Sequence, residues 1–149
     1  MIVSLLIYEY MSKRRGYRYV ISQNPKNLLV TEDAIKRIFS TVGMDIKIND
    51  ISIYQRAFVH KSHVKPITGY IKNPDLIPLQ PASNETLEFL GDNVLSSVVG
   101  TYNFMRYPSK LEGFLSVLKT RLVRSESLCL FAKKLGLNYY MLISEEEEE

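Results

Sequence analysis

The sequence predicts an all-α fold. Apolar residues recur at helical spacing between recognisable start and stop signals, and no two runs read as a strand pair. No internal repeat interrupts the pattern, and 149 residues suit one domain with a sizeable core.

Residues 1–30 read as an N-terminal extension. The apolar start Met1–Tyr8 is too short to span a bilayer. Its positive charges, Lys13, Arg14 and Arg15, follow it, whereas a secretory signal places them first. It is expected to pack on the body as a strand or helix. Ser12–Tyr19 mixes basic and aromatic residues, which suits phosphate contact and stacking, and suits a solvated arm equally.

A first helix is expected from about Thr31, with Glu32 and Asp33 in its first turn, to about Thr41 before Gly43. A second covers roughly residues 50–60. Residues 64–82 carry Pro66, Pro74, Pro78 and Pro81, so they form a long ordered loop or a flexible insert, not a helix. A long helix follows from about Ser83 to Arg106 and stops at Tyr107-Pro108. Ser109 and Glu112 have the spacing of a capping box, opening a helix through about Val123. A last helix runs from Ser125 to Gly136, a C-terminal cap residue. The run Glu145–Glu149 lacks apolar periodicity and reads as a solvated acidic tail.

The long helix carries the chemistry. Glu85, Glu88 and Asp92 sit at i, i+3 and i+7, within an arc of roughly 60° at about 100° per residue. Leu87, Leu90, Val94, Val98, Tyr102 and Met105 gather elsewhere on the wheel, on the side expected to be buried. No Lys or Arg lies three or four residues from these acids on the helix, and Glu88 and Asp92 repel each other at i, i+4. Such a stripe invites a hard divalent cation. Spacing alone favours the plainer reading, a solvated face with acids drawn to the helix N-terminus. Phe89 projects beside the stripe, where an aromatic stays wet unless a partner covers it. Gly91, mid-helix at a cost of about 1 kcal/mol relative to Ala, suggests close approach of another backbone, from a partner or from tight packing within the chain.

Nineteen Lys and Arg stand against 16 Asp and Glu, five of which form the tail. The basic body fits a polyanionic partner, as a hint only. Cys129, the single cysteine, rules out an internal disulfide and fits a reducing, intracellular (cytoplasmic or nuclear) setting. Its apolar neighbours predict a small buried residue. His60 and His63 are poor evidence for zinc without further Cys or His nearby, and His60 is expected to orient local backbone or hold the acidic helix.

The segment Asn84–Leu95 closely resembles the signature of the ribonuclease III family, Glu-x-Leu-Glu-Phe-Leu-Gly-Asp. The similarity continues through Arg106-Tyr107-Pro108, Glu112–Lys119, Arg121–Leu128 and Ala132–Leu137, and upstream through Asp50-Ile51-Ser52 and Ala57–Ser62. It covers most of residues 31–142 in order. The resemblance implies a helical endonuclease domain over residues 31–149 that works as a homodimer and cuts double-stranded RNA with Mg2+, or with Mn2+ in its place. It implies that Glu88 and Asp92 are the catalytic metal ligands and that Glu85 and Glu112 line the same acidic valley. It places Phe89 at the dimer contact, with Gly91 beside it. Products with 5′-phosphate and 3′-hydroxyl ends are expected, with no role for a membrane. Lys119, Arg121 and Arg124 are candidate phosphate contacts, although a solvated face explains each of them as well.

Two departures qualify the resemblance. The family's later Asp-x-x-Glu helix is missing before residue 149, so about half of the expected ligand set is present. The insert at 64–82 replaces a short loop. The chain thus reads as an incomplete endonuclease domain. The alternative is a catalytically inactive dimerising or RNA-binding module of the same family.

Overall fold

The computed structural model describes residues 23–65 and 73–147. The expectations for Met1–Tyr8 and Ser12–Tyr19 lie outside these residues. Among the described residues five helices follow in order: α1 (Glu32–Ser40), α2 (Ile51–Ala57), α3 (Glu85–Arg106), α4 (Glu112–Val123) and α5 (Ser125–Leu135). Short 3-10 turns cover Lys61–His63, Leu137–Tyr140 and Glu145–Glu147. Extended pairing among the described residues is confined to isolated bridges, so the fold is all-α.

Local chemistry sets the helix ends. Thr31 accepts a hydrogen bond from Ala34 N–H at 3.2 Å and caps α1, with Glu32 and Asp33 favourably placed in its first turn. Asp50 caps α2 through Ser52 N–H at 2.9 Å. Gly136 ends α5 in the left-handed region, φ 71°, as its position suggested. The expected capping box at Ser109 does not form. Leu111 is the N-cap of α4, without a side-chain bond. The Tyr107–Leu111 turn is held instead by Lys110 N–H on Tyr107 C=O, 3.0 Å, and by edge-on packing of Tyr107 and Phe114 at 5.5 Å.

The core is small. Val30, Ala34 and Ile35 are buried, with Phe39, Ile46, Ile48, Ile51, Tyr54, Phe58 and Tyr140 packed around them. Val59, Leu79 and Leu142 are also buried. Leu142 lies along Val59, with its N–H on Phe58 C=O at 2.8 Å and its C=O on His60 N–H at 3.0 Å. The described part of the 64–82 insert is a loop pinned to the body. Gln80 N–H reaches His63 C=O and Lys65 N–H reaches Gln80 C=O, both at 2.9 Å, and Gln23 bonds Asn73 N–H and Ile77 C=O.

A polar knot joins three distant segments. The Asn27 side chain pairs with both backbone groups of Ile143, donating to its C=O at 2.9 Å and accepting from its N–H at 3.2 Å. That fixes the amide orientation, so Asn27 Nδ2 donates to His63 Nδ1 at 3.3 Å. His63 is therefore neutral, with its proton on Nε2, and it is wholly buried. Residues 23–30, read as part of an extension, are thus built into the body.

The side of α3 that packs is not the one expected. α4 folds back along α3, and Leu95, Ser96, Val99, Gly100 and Asn103 are the α3 positions beyond Val94 that are partly or wholly buried. A Cβ at Gly100 would lie 3.8 Å from Lys119 Cδ. Leu90, Val94, Val98, Tyr102 and Met105, expected in the core, are exposed, and Leu87 is half-buried. The reason is geometric. A five-residue turn brings α4 onto the side where Ser96 and Gly100 let a second helix approach, and among the described residues no element covers the broad apolar side.

Candidate active site

The N-terminus of α3 hangs from the end of α2. Asn84 is its N-cap, yet the side chain caps nothing. Instead Asn84 N–H donates to Val59 C=O at 2.8 Å and Asn84 Nδ2 to Ala57 C=O at 3.1 Å. Arg56 adds two bonds, from Nε to Ser83 C=O at 3.2 Å and from Nη2 to Thr86 Oγ1. Neither residue's anchoring contacts were legible in the sequence. An Asn before a helix normally signals a cap, and a lone Arg on a short helix signals nothing.

This anchorage sets the acidic stripe. Ser83 Oγ donates to Glu85 Oε2 at 2.9 Å, so Glu85 is turned back toward the helix start. Glu88 and Asp92 are exposed, one turn apart, and have no ion-pair or hydrogen-bond partner through their carboxylates among the described residues. Lys36 pairs instead with Glu32, and Arg124 with Glu126. Glu112 opens α4 and accepts a hydrogen bond from Ser116 Oγ at 2.6 Å. Because α4 starts beside the far end of α3, Glu112 lies roughly 20 Å along the helix axis from Asp92 at about 1.5 Å per residue. No group of three or more His, Cys, Asp or Glu side chains gathers to hold a metal among the described residues. The structure thus pairs Glu88 with Asp92, ties Glu85 beside them, and sets Glu112 apart.

Phe89 is 75% exposed. A Cβ at Gly91 would meet nothing within 4 Å among the described residues, so their packing does not require glycine there. Lys119, Arg121 and Arg124, the candidate phosphate contacts, are placed differently from one another. The Lys119 stem lies against Gly100, Arg121 is exposed, and Arg124 pairs with Glu126 at 3.7 Å. Lys119 and Arg121 are about 200° apart around α4. Cys129, expected to be buried, is exposed, as are its apolar neighbours Leu130 and Phe131 on α5, so apolar neighbours in sequence did not mark a buried position. His60 orients local backbone as expected, its Nδ1 lying 2.9 Å from Ser62 Oγ and accepting from Ser62 N–H at 3.3 Å. No helix among the described residues is long and apolar enough to cross a membrane.

Comparisons agree with this architecture. A probable ribonuclease 3 of Acanthamoeba polyphaga mimivirus is 35% identical over 132 residues, 84% of this chain and 24% of that protein. Ribonuclease 3 of Streptococcus pyogenes is 36% identical over 115 residues, 77% of this chain and 46% of that protein. The chain thus spans a quarter to a half of these relatives. Among solved structures, the nuclease domain of ribonuclease III from Campylobacter jejuni, described for structural flexibility in its region involved in dimer formation, superposes with a TM-score of 0.59 at 32% identity. The match covers 76% of this chain and 68% of that one. A family profile described as ribonuclease-III-like matches residues 50–149, which include the acidic helix, the α3–α4 hairpin and α5, and the chain belongs to that family.

Proposed function

We propose that this chain is the endonuclease part of an enzyme that hydrolyses phosphodiester bonds in double-stranded RNA, using Mg2+ and acting as a homodimer. The observation that carries the reading is the Glu88–Asp92 pair. Two carboxylates one turn apart, without an ion-pair partner among the described residues, sit on a helix whose sequence matches the family signature. Their like charges destabilise the bare helix, which is a reason for an ion to bind there.

The donor set fits magnesium. That ion takes oxygen ligands and is commonly held by one or two carboxylates, with waters and substrate phosphate oxygens completing the shell. Once bound, it supplies Lewis acidity at a phosphate oxygen and an activated water for attack. Glu88 and Asp92 hold their carboxylates on the exposed side of α3, and Glu85 adds negative charge from a fixed rotamer on Ser83. The anchorage of α3 on α2 keeps all three in register with the histidine segment.

The test is duplex-RNA cleavage by the full-length protein with and without Mg2+. Asp92→Asn is expected to abolish cleavage while leaving binding intact, and wild-type products are expected to end in 5′-phosphate and 3′-hydroxyl groups. Normal cleavage by the Asn variant would remove Asp92 from the site. A second reading is an inactive dimerising or RNA-binding module. It is favoured by the lack of a third gathered ligand among the described residues. Magnesium-independent binding without cleavage by the full-length wild type would select it.

A further inference from the structure

Charge is segregated along the α3–α4 hairpin. Glu85, Glu88 and Asp92 hold its first end, with no Lys or Arg among residues 84–92. From Asn93 to Ser125 the balance reverses: Arg106, Lys110, Lys119, Arg121 and Arg124 stand against one acid, Glu112. Two of these cations flank the turn between the helices, and each rests on an aromatic ring. Arg106 Cζ lies 5.6 Å from the centre of the Tyr107 ring, and Lys110 Nζ lies 5.5 Å from the centre of the Phe114 ring. The two rings pack edge-on at 5.5 Å, and Lys110 N–H closes the turn on Tyr107 C=O at 3.0 Å. Both cations are thereby held on one hydrogen-bonded turn.

A ring face attracts a cation without consuming its N–H donors. Arg106 and Lys110 are exposed, and neither side chain donates a hydrogen bond or forms an ion pair among the described residues. Glu112, the acid two positions after Lys110, bonds Ser116 Oγ at 2.6 Å and pairs with neither. The macrodipole accounts for Arg106, in the last turn of α3. It does not account for Lys110, which stands just ahead of the α4 N-cap Leu111, where positive charge is disfavoured. Charge-assisted hydrogen bonds to phosphate oxygens need free cationic donors, and a placement set by ring contacts lowers the ordering cost of making them.

We propose that Arg106 and Lys110 together form a phosphate-binding surface at the α3–α4 turn, which takes the backbone of duplex RNA outside the Glu88–Asp92 pair. The proposal rests on the duplex-RNA reading above. Duplex RNA is held mainly through shape, 2′-hydroxyls and phosphates, so a surface of this kind needs no sequence preference. Arg106 stands about 21 Å along the helix axis from Asp92, at about 1.5 Å per residue. The two ends of α3 then divide the work, carboxylates at one for the ion and cations at the other for the backbone.

The experiment measures binding of the full-length protein to a short RNA duplex without divalent ions, across a series of KCl concentrations. Arg106→Gln and Lys110→Gln are each expected to weaken binding several-fold and to lower the slope of log affinity against log salt by about 1, and the double variant by about 2. Lys110→Arg, which keeps the charge, is expected to retain the slope. Lys36→Gln with Arg37→Gln removes the same charge from the exposed side of α1 and is expected to keep the slope of the wild type. A double variant at the turn whose slope matches that of the α1 variant overturns the proposal, because net charge alone then explains the binding. In the unaltered protein the Arg106 15Nε and Lys110 15Nζ resonances are expected to shift on adding duplex, and unmoved resonances overturn the proposal even where the Gln variants fold poorly. If the wild type shows no salt-dependent duplex binding, the duplex-RNA reading fails and this proposal with it. If it binds and the turn variants behave like wild type, only the role of Arg106 and Lys110 fails.

Discussion

Asn103 is the least comfortable residue in the described structure. It lies 1% exposed in the contact between α3 and α4, and neither its Nδ2 nor its Oδ1 has a hydrogen-bond partner. Burying an unpaired amide costs more than an apolar side chain of the same size would. Asn103→Leu is expected to raise stability by about 1 kcal/mol, read as a melting temperature higher by roughly 2–4 °C. His63 gives a second expectation. Burial holds its pKa below the ordinary 6.5, and the Pro78 carbonyl opposes that shift only in part. The unfolded ring takes a proton near pH 6.5, whereas the folded ring resists. The stabilisation is therefore complete above about pH 6.5 and is lost as pH falls toward the folded value. Protonation would also turn Nδ1 into a donor facing the Asn27 amide donor. Urea unfolding of the wild type is expected to show lower stability at pH 5.5 than at pH 7.5, and His63→Gln is expected to flatten the difference.

At the scale of elements, the two helix ends best defined in sequence are also the clearest to test. Thr31→Ala removes the bond to Ala34 N–H at the edge of the core, and unfolding free energy is expected to fall by about 1 kcal/mol. Gly136→Ala forces a side chain into the left-handed region at φ 71°, with an expected loss of about 1 kcal/mol, although a Cβ there finds ordinary contact with Tyr139 at 3.6 Å. These ends were legible because caps act through neighbours in sequence. The five helices were legible for the same reason, since their period and punctuation are local. The buried side of α3 was not, because apolar spacing marks a side that can be covered and says nothing of what covers it. The Ser109 box failed on a related point: packing of Tyr107 on Phe114 three-dimensionally fixes the turn and moves the helix start to Glu112.

For the whole molecule, the open side of α3 is the dominant feature. Leu90, Val94, Val98, Tyr102 and Met105 together expose more apolar surface than a solitary chain normally leaves in water, and Phe89 is exposed separately beside the acidic stripe. In the proposed dimer such a surface drives association. Wild-type sedimentation is expected to show concentration-dependent association, and Val94→Asp with Val98→Asp is expected to lower the weight-average mass while changing monomer stability little, because both positions are exposed. The candidate site was half legible. Glu85, Glu88 and Asp92 share a helix, so their spacing reveals them. Arg56, Ser83 and Asn84 matter through contacts between α2 and α3, which no periodicity records.

The tie between Asn27 and Ile143 has a consequence for how the chain acquires its shape. The partners stand 116 positions apart, so closing that loop costs roughly 4 kcal/mol of chain entropy before the bonds return anything. During synthesis the segment around Asn27 leaves the ribosome long before Ile143 exists. His63 and its neighbours must wait, half-assembled, until nearly the last described residues emerge, so final consolidation of the domain is a late event and translation pauses before residue 143 would prolong an aggregation-exposed state.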